Sequence, residues 1–215
     1  MAATSDTPKR GPGRPADGFP RRREEIIEVA KGLFAANGYP NTTVAQICET
    51  AGLTKGLFYH YVKSKEELLL AIFDSYTIPT LQALREVRDS PESCTDQLRE
   101  ISSLMVRTIA ANLAEVNIVD RELPLLRSDD PQWAPSRKRM REIDAIIRNV
   151  IRGGVESGEF LPMDEVLGAM AFWGMHNHIS RWFGPKWTDR VDDIADAFAQ
   201  VLLRGFVAAP QRKRR

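Results

Sequence analysis

Residues 43–65 read TVAQICETAGLTKGLFYHYVKSK, and the punctuation of this stretch decides the fold. Thr43 followed three residues later by Gln46 is a capping-box start, in which each side chain satisfies a backbone N–H that the first helical turn leaves exposed. Val44, Ile47 and Ala51 recur at helical spacing and predict about two turns with one apolar face. Gly52 ends that helix, because glycine enters the left-handed conformation without a Cβ penalty. Leu53 would pack back into the angle, and Thr54 is placed to cap a second short helix over 55–61. Two short helices joined by a tight glycine turn form a helix-turn-helix. The second carries Lys55, Gly56, Leu57, Tyr59, His60 and Tyr61 with no acidic residue among them. It is suited to lie against a polyanion.

Working outward, residues 21–37 predict a helix with Ile26, Ile27, Ala30, Leu33 and Phe34 on its buried stripe, closed by Gly38. Its Arg21, Arg22 and Arg23 start puts cations at the positive end of the helix dipole, which a nearby phosphate would relieve; three solvated arginines at a frayed end is the other reading. On the far side, Ser64 and Glu67 form another capping box, opening a helix with Leu68, Leu69, Ile72, Phe73 and Tyr76 that Pro79 kinks or splits. Further helices are predicted at 95–115, 117–127, 135–157, 163–183 and 188–208, with breaks at Pro91, residues 128–131, Gly158 and residues 184–185. No alternating strand pattern and no internal repeat appears.

The helix-turn-helix and its flanks resemble the TetR family of bacterial transcription regulators. The matching positions are Thr43, Ile47, Ala51-Gly52-Leu53-Thr54, Gly56, Tyr59, Tyr61 and Lys65, and the resemblance is specific over about residues 21–69. Cys48 stands where that family has alanine and Val62 where it has phenylalanine; both replacements bear on packing more than on DNA contact. The resemblance implies an all-α fold: a three-helix helix-turn-helix head at 21–65 and a larger helical ligand-binding and dimerisation body at 66–208. A basic arm, residues 1–20, precedes them and a basic tail, 209–215, follows. It implies a ligand-responsive regulator, a repressor released from a palindromic operator by a small apolar or acyl-CoA-type effector. The competing class is a helical small-molecule binding protein or enzyme with a vestigial head.

On this reading Arg22, Thr43, Thr54, Tyr59, His60, Tyr61 and Lys65 contact phosphates, while Lys55, Gly56 and Leu57 face base edges in the major groove. The arm is rich in small residues, Gly and Pro, and reads as disordered. Its segment 9–15, KRGPGRP, looks like a degenerate minor-groove hook or else a solvated basic tail. The last two predicted helices offer a two-fold bundle for a homodimer, or apolar surface buried within one chain. The other helices would enclose a cavity lined by Met105, Ile109, Trp133, Met140, Phe172 and Trp173, any of which also reads as plain core. Residues 175–185, MHNHISRWFGP, resemble a segment of TetR-type repressors of fatty-acid and steroid catabolism, whose effectors are acyl-CoA thioesters. That resemblance adds Asn177 and Arg181 to the ligand site, with Arg137, Lys138, Arg139 and Arg141 helping to hold phosphate. Alternatively Arg181 pairs with Asp192.

Composition agrees and excludes. Of the 215 residues, 43% are hydrophobic and 27% charged, ordinary for a globular chain with ample core. Residues 1–65 hold ten Lys/Arg against six acidic residues, an excess of +4, so the net +1 of the whole leaves −3 on the remainder. A basic first third on a mildly acidic body fits a DNA reader attached to something else. No apolar run reaches the ~20 residues of a membrane span, and no secretory signal is legible. Cys48 and Cys94 sit far apart, which fits a reduced, cytoplasmic setting. His176 and His178, two apart on a helix, do not share a face for a metal. No cofactor motif, phosphate loop or nucleophile elbow is present, so nothing argues for an enzyme.

Overall fold

The structure is a computed structural model that describes residues 18–206, so the hook-like segment and the basic tail lie outside the described residues. Every regular element among the described residues is helical. The head comprises α1 (Gly18–Asn37), α2 (Val44–Thr50) and α3 (Lys55–Tyr61), and α4 (Lys65–Arg88) leads out of it. The body adds α5 (Cys94–Ala111), α6 (Leu113–Arg121), α7 (Leu123–Arg127), α8 (Ala134–Glu156), α9 (Glu165–His176), α10 (Ile179–Trp182) and α11 (Val191–Phe206). Short 3-10 turns stand at Pro131–Trp133 and Pro185–Arg190.

Most local signals act as the sequence suggests: the Thr43–Gln46 capping box forms in full, and Thr54 accepts from the Leu57 N–H. At α4 only half of the expected capping box forms, because Ser64 accepts from the Glu67 N–H while the Glu67 carboxylate accepts from the Lys63 N–H and pairs with Arg23. Gly38, Gly52 and Gly158 take positive φ of 81°, 63° and 78° where they close helices.

Several boundaries differ from the patterning: the expected 117–127 helix starts earlier and is divided at Glu122 into α6 and α7, and the expected 188–208 helix opens as a 3-10 turn before α11 begins at Val191. Helix α1 starts at Gly18, inside the expected arm, because Phe19 finds aromatic partners: its ring lies 4.8 Å from Tyr61 and 5.5 Å from His60. Helix α4 runs unsplit through Pro79. Around the proline, Thr77 and Thr80 donate hydroxyl hydrogen bonds to the carbonyls of Phe73 and Tyr76, adding side-chain bonds where the backbone ladder loses one. The expected 95–115 helix ends at Ala111, since Asn112 turns its amide back onto the Thr108 carbonyl at 2.8 Å. The expected 163–183 helix divides at Asn177 and His178, both weak helix formers, into α9 and α10.

Three apolar clusters hold the chain. The first joins Ile26, Phe34, Ile47, Phe58, Val62 and Leu68 of the head to Ile118 and Val119 of α6 and to Trp133. The second fills the body among α4, α5, α8, α9 and α11, around Leu84, Ile101, Ile147 and Phe172. The third gathers Val106, Ile109, Ile179, Phe183 and Ala195 between α5, α10 and α11. Phe172 is therefore core, fully buried, and does not line a cavity. Helix α11 lies along α5. Ion pairs clamp α4 to α8: Arg85 grips Glu142 through two bonds of 2.7 and 2.9 Å, and Arg139 pairs with Asp74 while donating to the Thr77 hydroxyl.

Candidate DNA interface and effector cavity

Helix α3 buries one residue, Phe58, and turns Lys55, Gly56, Leu57, Tyr59 and His60 outward. Leu57 is 42% and Tyr59 54% exposed, although both are large and apolar in part. Thr43 and Tyr59 meet Lys63 and Lys65 around a groove of about 330 Å³ at the start of α2. Lys63 is an addition to the expected set; its charge was visible in the sequence, but its place in this groove depends on the turn before α4. Tyr61 is half-buried under Phe19, and His60 stands edge-on to both rings.

Two expected phosphate contacts have other work. The Lys65 ammonium donates to the carbonyls of Tyr39 and Thr42 at 2.8 and 3.0 Å and sits 4.1 Å from the Tyr39 ring centroid. It pins the α1–α2 turn to the start of α4. Arg22 bonds the Ala51 carbonyl at 2.9 Å, near the end of α2, and pairs with Glu25. The unfavourable position of that cation at a helix start is thus relieved by the chain's own carboxylate and carbonyl. Glu25 lies below the usual carboxylate range because Arg22 hydrogen-bonds it. Arg23 pairs with Glu67 of α4 at 2.8 Å. Cys48 is buried in the head core, and burial pushes its thiol up, which keeps it protonated and inert.

In the body, a cavity of about 930 Å³ opens between α4, α5, α6, α8, α9 and α10. Met105, Ile109, Met140, Trp173, Asn177 and Arg181 of the expected ligand set line it. Trp133 does not: it is 1% exposed and completes the head-side cluster, because the Pro131–Trp133 turn swings the indole away from the cavity. The inner wall is largely apolar, with Phe73, Val116, Val119 and Ile143, while the exposed rim carries Arg121, Arg141 and Arg181. Arg137 also lines it but donates to the carbonyls of Ser128 and Asp130. The Arg181–Asp192 pair is not formed, since Asp192 accepts from Arg107 at 3.0 Å. Of the remaining basic run, Arg139 is spent on Asp74 and Lys138 is exposed outside the cavity lining.

Asp120, Ser180 and Tyr76 join the lining without having been expected there. Asp120 accepts from the Ser180 hydroxyl at 2.9 Å; burial raises its carboxyl above the usual range, opposed by that bond and by Arg181. Burial pushes the Tyr76 phenol far up, so it stays a neutral hydroxyl. Trp173 donates its indole N–H to Asp144 at 3.0 Å, fixing the ring against α8. Behind the cavity, His176 is fully buried between Ser102 at 3.0 Å and the Phe172 carbonyl at 2.8 Å, and burial lowers it to about 4. It is a neutral core residue, and no group of metal-ligating side chains occurs among the described residues. No helix there is long and apolar enough to cross a membrane.

Comparison with known proteins follows this division. Residues 26–72 match the family described as bacterial regulatory proteins, tetR family, and residues 91–206 match the tetracyclin repressor-like C-terminal domain. The HTH-type transcriptional repressor KstR2 of Mycolicibacterium smegmatis is 26% identical over 195 residues, covering 90% of this chain and 93% of its own. A tetR-family regulatory protein from Rhodococcus RHA1 superposes with a TM-score of 0.77 at 27% identity, over 88% of this chain and 99% of the other. AibR, solved in complex with isovaleryl coenzyme A and operator DNA, superposes with a TM-score of 0.74 at 26% identity, over 85% and 98%. A reading head with its recognition helix turned outward, a cavity-bearing helical body behind it, and matches that span both halves lead to one assignment: the chain belongs to the TetR family and is a ligand-responsive, DNA-binding regulator of transcription.

Proposed function

We propose that the chain is a homodimeric repressor that leaves a two-fold operator when an acyl-CoA thioester enters the body cavity. The observation that carries the effector class is the division of the cavity: apolar walls within, and Arg121, Arg141 and Arg181 on the exposed rim with no ion pair among the described residues. Guanidinium groups match phosphate geometry, so the rim suits the anionic nucleotide end of such a thioester and the interior suits its acyl end. The similar fold of AibR, a protein solved with isovaleryl coenzyme A and operator DNA, supports the same class.

On the DNA side, Lys55, Gly56 and Leu57 read base edges, and Thr43, Thr54, Tyr59, His60 and Lys63 meet the backbone. Lys65, Arg22 and Tyr61 hold the frame that sets their angle. Reading two half-sites one helical turn apart calls for two heads. The dimer surface is the outer face of α9 and α11. Leu167, Met170 and Val201 are 65%, 63% and 64% exposed there, beside the small residues Ala171, Ala197 and Gly205. An apolar strip of that kind on a soluble chain marks an association surface.

Helix α6 connects the two ends. It gives Val116, Val119, Asp120 and Arg121 to the cavity, and its Glu115 accepts from Lys31 of α1 at 2.9 Å. An occupant that displaces α6 therefore shifts α1 and the head with it. The test is a gel shift of promoter DNA in which acyl-CoA thioesters over a range of chain lengths, and the matching free acids, are added. Release by thioesters and not by acids is expected; no release across the panel would discard the effector class.

A further inference from the structure

We propose that the acyl group this cavity receives carries a hydroxyl; the inference rests on the acyl-CoA reading above. Six hydroxyl-bearing residues line the cavity, Tyr76, Thr77, Thr80, Thr108, Ser136 and Ser180, and three of them are already committed. Thr77 and Thr80 donate to carbonyls of their own helix, and Ser180 donates to Asp120. Ser136 is different: it lines the cavity from α8, is 1% exposed, and its Oγ has no hydrogen-bond partner. Among the described residues only one other buried side-chain polar atom, Arg148 Nε, lacks a partner, and Arg148 is not part of the cavity lining. A buried hydroxyl without a partner is costly and uncommon, so its place in the wall of a cavity needs an explanation.

The neighbouring groups say what would satisfy it. The Tyr76 hydroxyl has no hydrogen bond to any described residue and shares the cavity with Ser136. Asp120 spends Oδ2 on Ser180 and has no donor on Oδ1. The set therefore offers the Tyr76, Ser136 and Thr108 hydroxyls as donors and the exposed Asp120 carboxylate as an acceptor, beside the Asn117 and Asn177 amides. A hydrocarbon chain satisfies none of these, and a keto group satisfies only the donors. A hydroxyl accepts from Tyr76 or Ser136 and donates to Asp120. An amine would also suit Asp120, but Arg181 is close enough to offset that carboxylate and makes the cavity unfavourable for a further cation.

The test is calorimetric titration of the full chain with octanoyl-CoA, its positional hydroxy isomers, its oxo analogues and the corresponding free acids. At least one hydroxy isomer is expected to bind about tenfold more tightly than octanoyl-CoA, since a site built for a hydroxyl leaves its polar groups unpaired around a bare chain. Tyr76→Phe and Ser136→Ala should each bring the ratio between that isomer and octanoyl-CoA down toward one. If either variant fails to fold, the other carries the measurement. Octanoyl-CoA binding as tightly as every hydroxy isomer, or an oxo analogue matching the best of them, would overturn the proposal and leave the acyl-CoA reading standing. If free hydroxy acids outbind plain acids while no thioester binds, the acyl-CoA reading falls and the hydroxyl assignment stands. No binding of any probe overturns both.

Discussion

The head holds its helices with short-range devices, whereas the body leaves a space of about 930 Å³ among its own. In the head, three hydroxyl caps, the Lys65 bonds to two carbonyls and the Arg22 bond to a third leave few polar groups of the frame unpaired. In the body, Ser136 has no partner and three rim arginines form no ion pair among the described residues. The lesson is a division of labour. A unit that must present a helix at a fixed angle is satisfied internally, and a unit that must respond to a ligand keeps polar groups free of the frame.

Several substitutions would break or sharpen that contrast. The largest effect is expected for Phe58→Ala, which empties the centre of the head core, where the ring is fully buried. It should cost about 3–5 kcal/mol and abolish operator binding. Effector binding measured by calorimetry should survive; its loss would show that the two units do not stand apart. In the body, Gly154→Ala drives a Cβ into the Phe160 ring, which is itself buried. The expected loss is about 1–3 kcal/mol in urea unfolding, and an unchanged midpoint would contradict the packing of α8 on that ring.

Lys55→Ala should cost about 1–3 kcal/mol of discrimination at one base pair, whereas Lys63→Ala should weaken all operator variants alike and flatten the salt dependence. Identical behaviour of the two across a set of mutated operators would remove the division between reading and positioning.

The pH dependence isolates one body residue. The buried His176 has its pKa lowered to about 4, so the folded state holds it neutral while the unfolded chain takes up a proton below about 6.5. Its contribution is fully present above that unfolded value and is lost as pH falls toward the folded one. Between pH 7.5 and 5 this amounts to about 2 kcal/mol. His176→Gln should be less stable at neutral pH, yet show a correspondingly smaller decline over the same range; parallel curves would mean that the imidazole is not excluded from water. The smallest stability effect is expected for Glu115→Gln, under about 1 kcal/mol for a partly exposed pair. Its informative readout is the effector concentration that releases DNA, which should change if α6 carries the signal.

How much of this was legible follows the range of each interaction. Thr43 with Gln46, Thr54, Gly38, Gly52 and Gly158 act on residues within a turn or two of themselves, so sequence spacing revealed them. The apolar periodicity gives the helices; the cavity residues Met105, Ile109, Met140 and Trp173 follow from the apolar character of pockets, and Asn177 and Arg181 from the resemblance of residues 175–185 alone. What stayed hidden depends on distant partners. The bonds of Lys65 and Arg22 within the head are not legible, because their acceptors, Tyr39, Thr42 and Ala51, lie 23 to 29 positions away. Phe19 looked like part of a tail until its stacking against Tyr61 extended α1. Trp133 reads as a cavity residue by its apolar bulk, and only the turn before α8 sends it elsewhere. Ser136 carries no sequence signal at all, since an orphaned hydroxyl exists only once its surroundings are packed.

Trp133, Ile118 and Val119 close the floor of the reading head although they come from the other half of the chain. A chimaera made by joining residues 18–75 to the rear of a different regulator would inherit a floor shaped for someone else's ceiling. The stability of the head is therefore tied to the seam it shares with the body, and a transplanted head should keep its firmness only where those three floor residues travel with it.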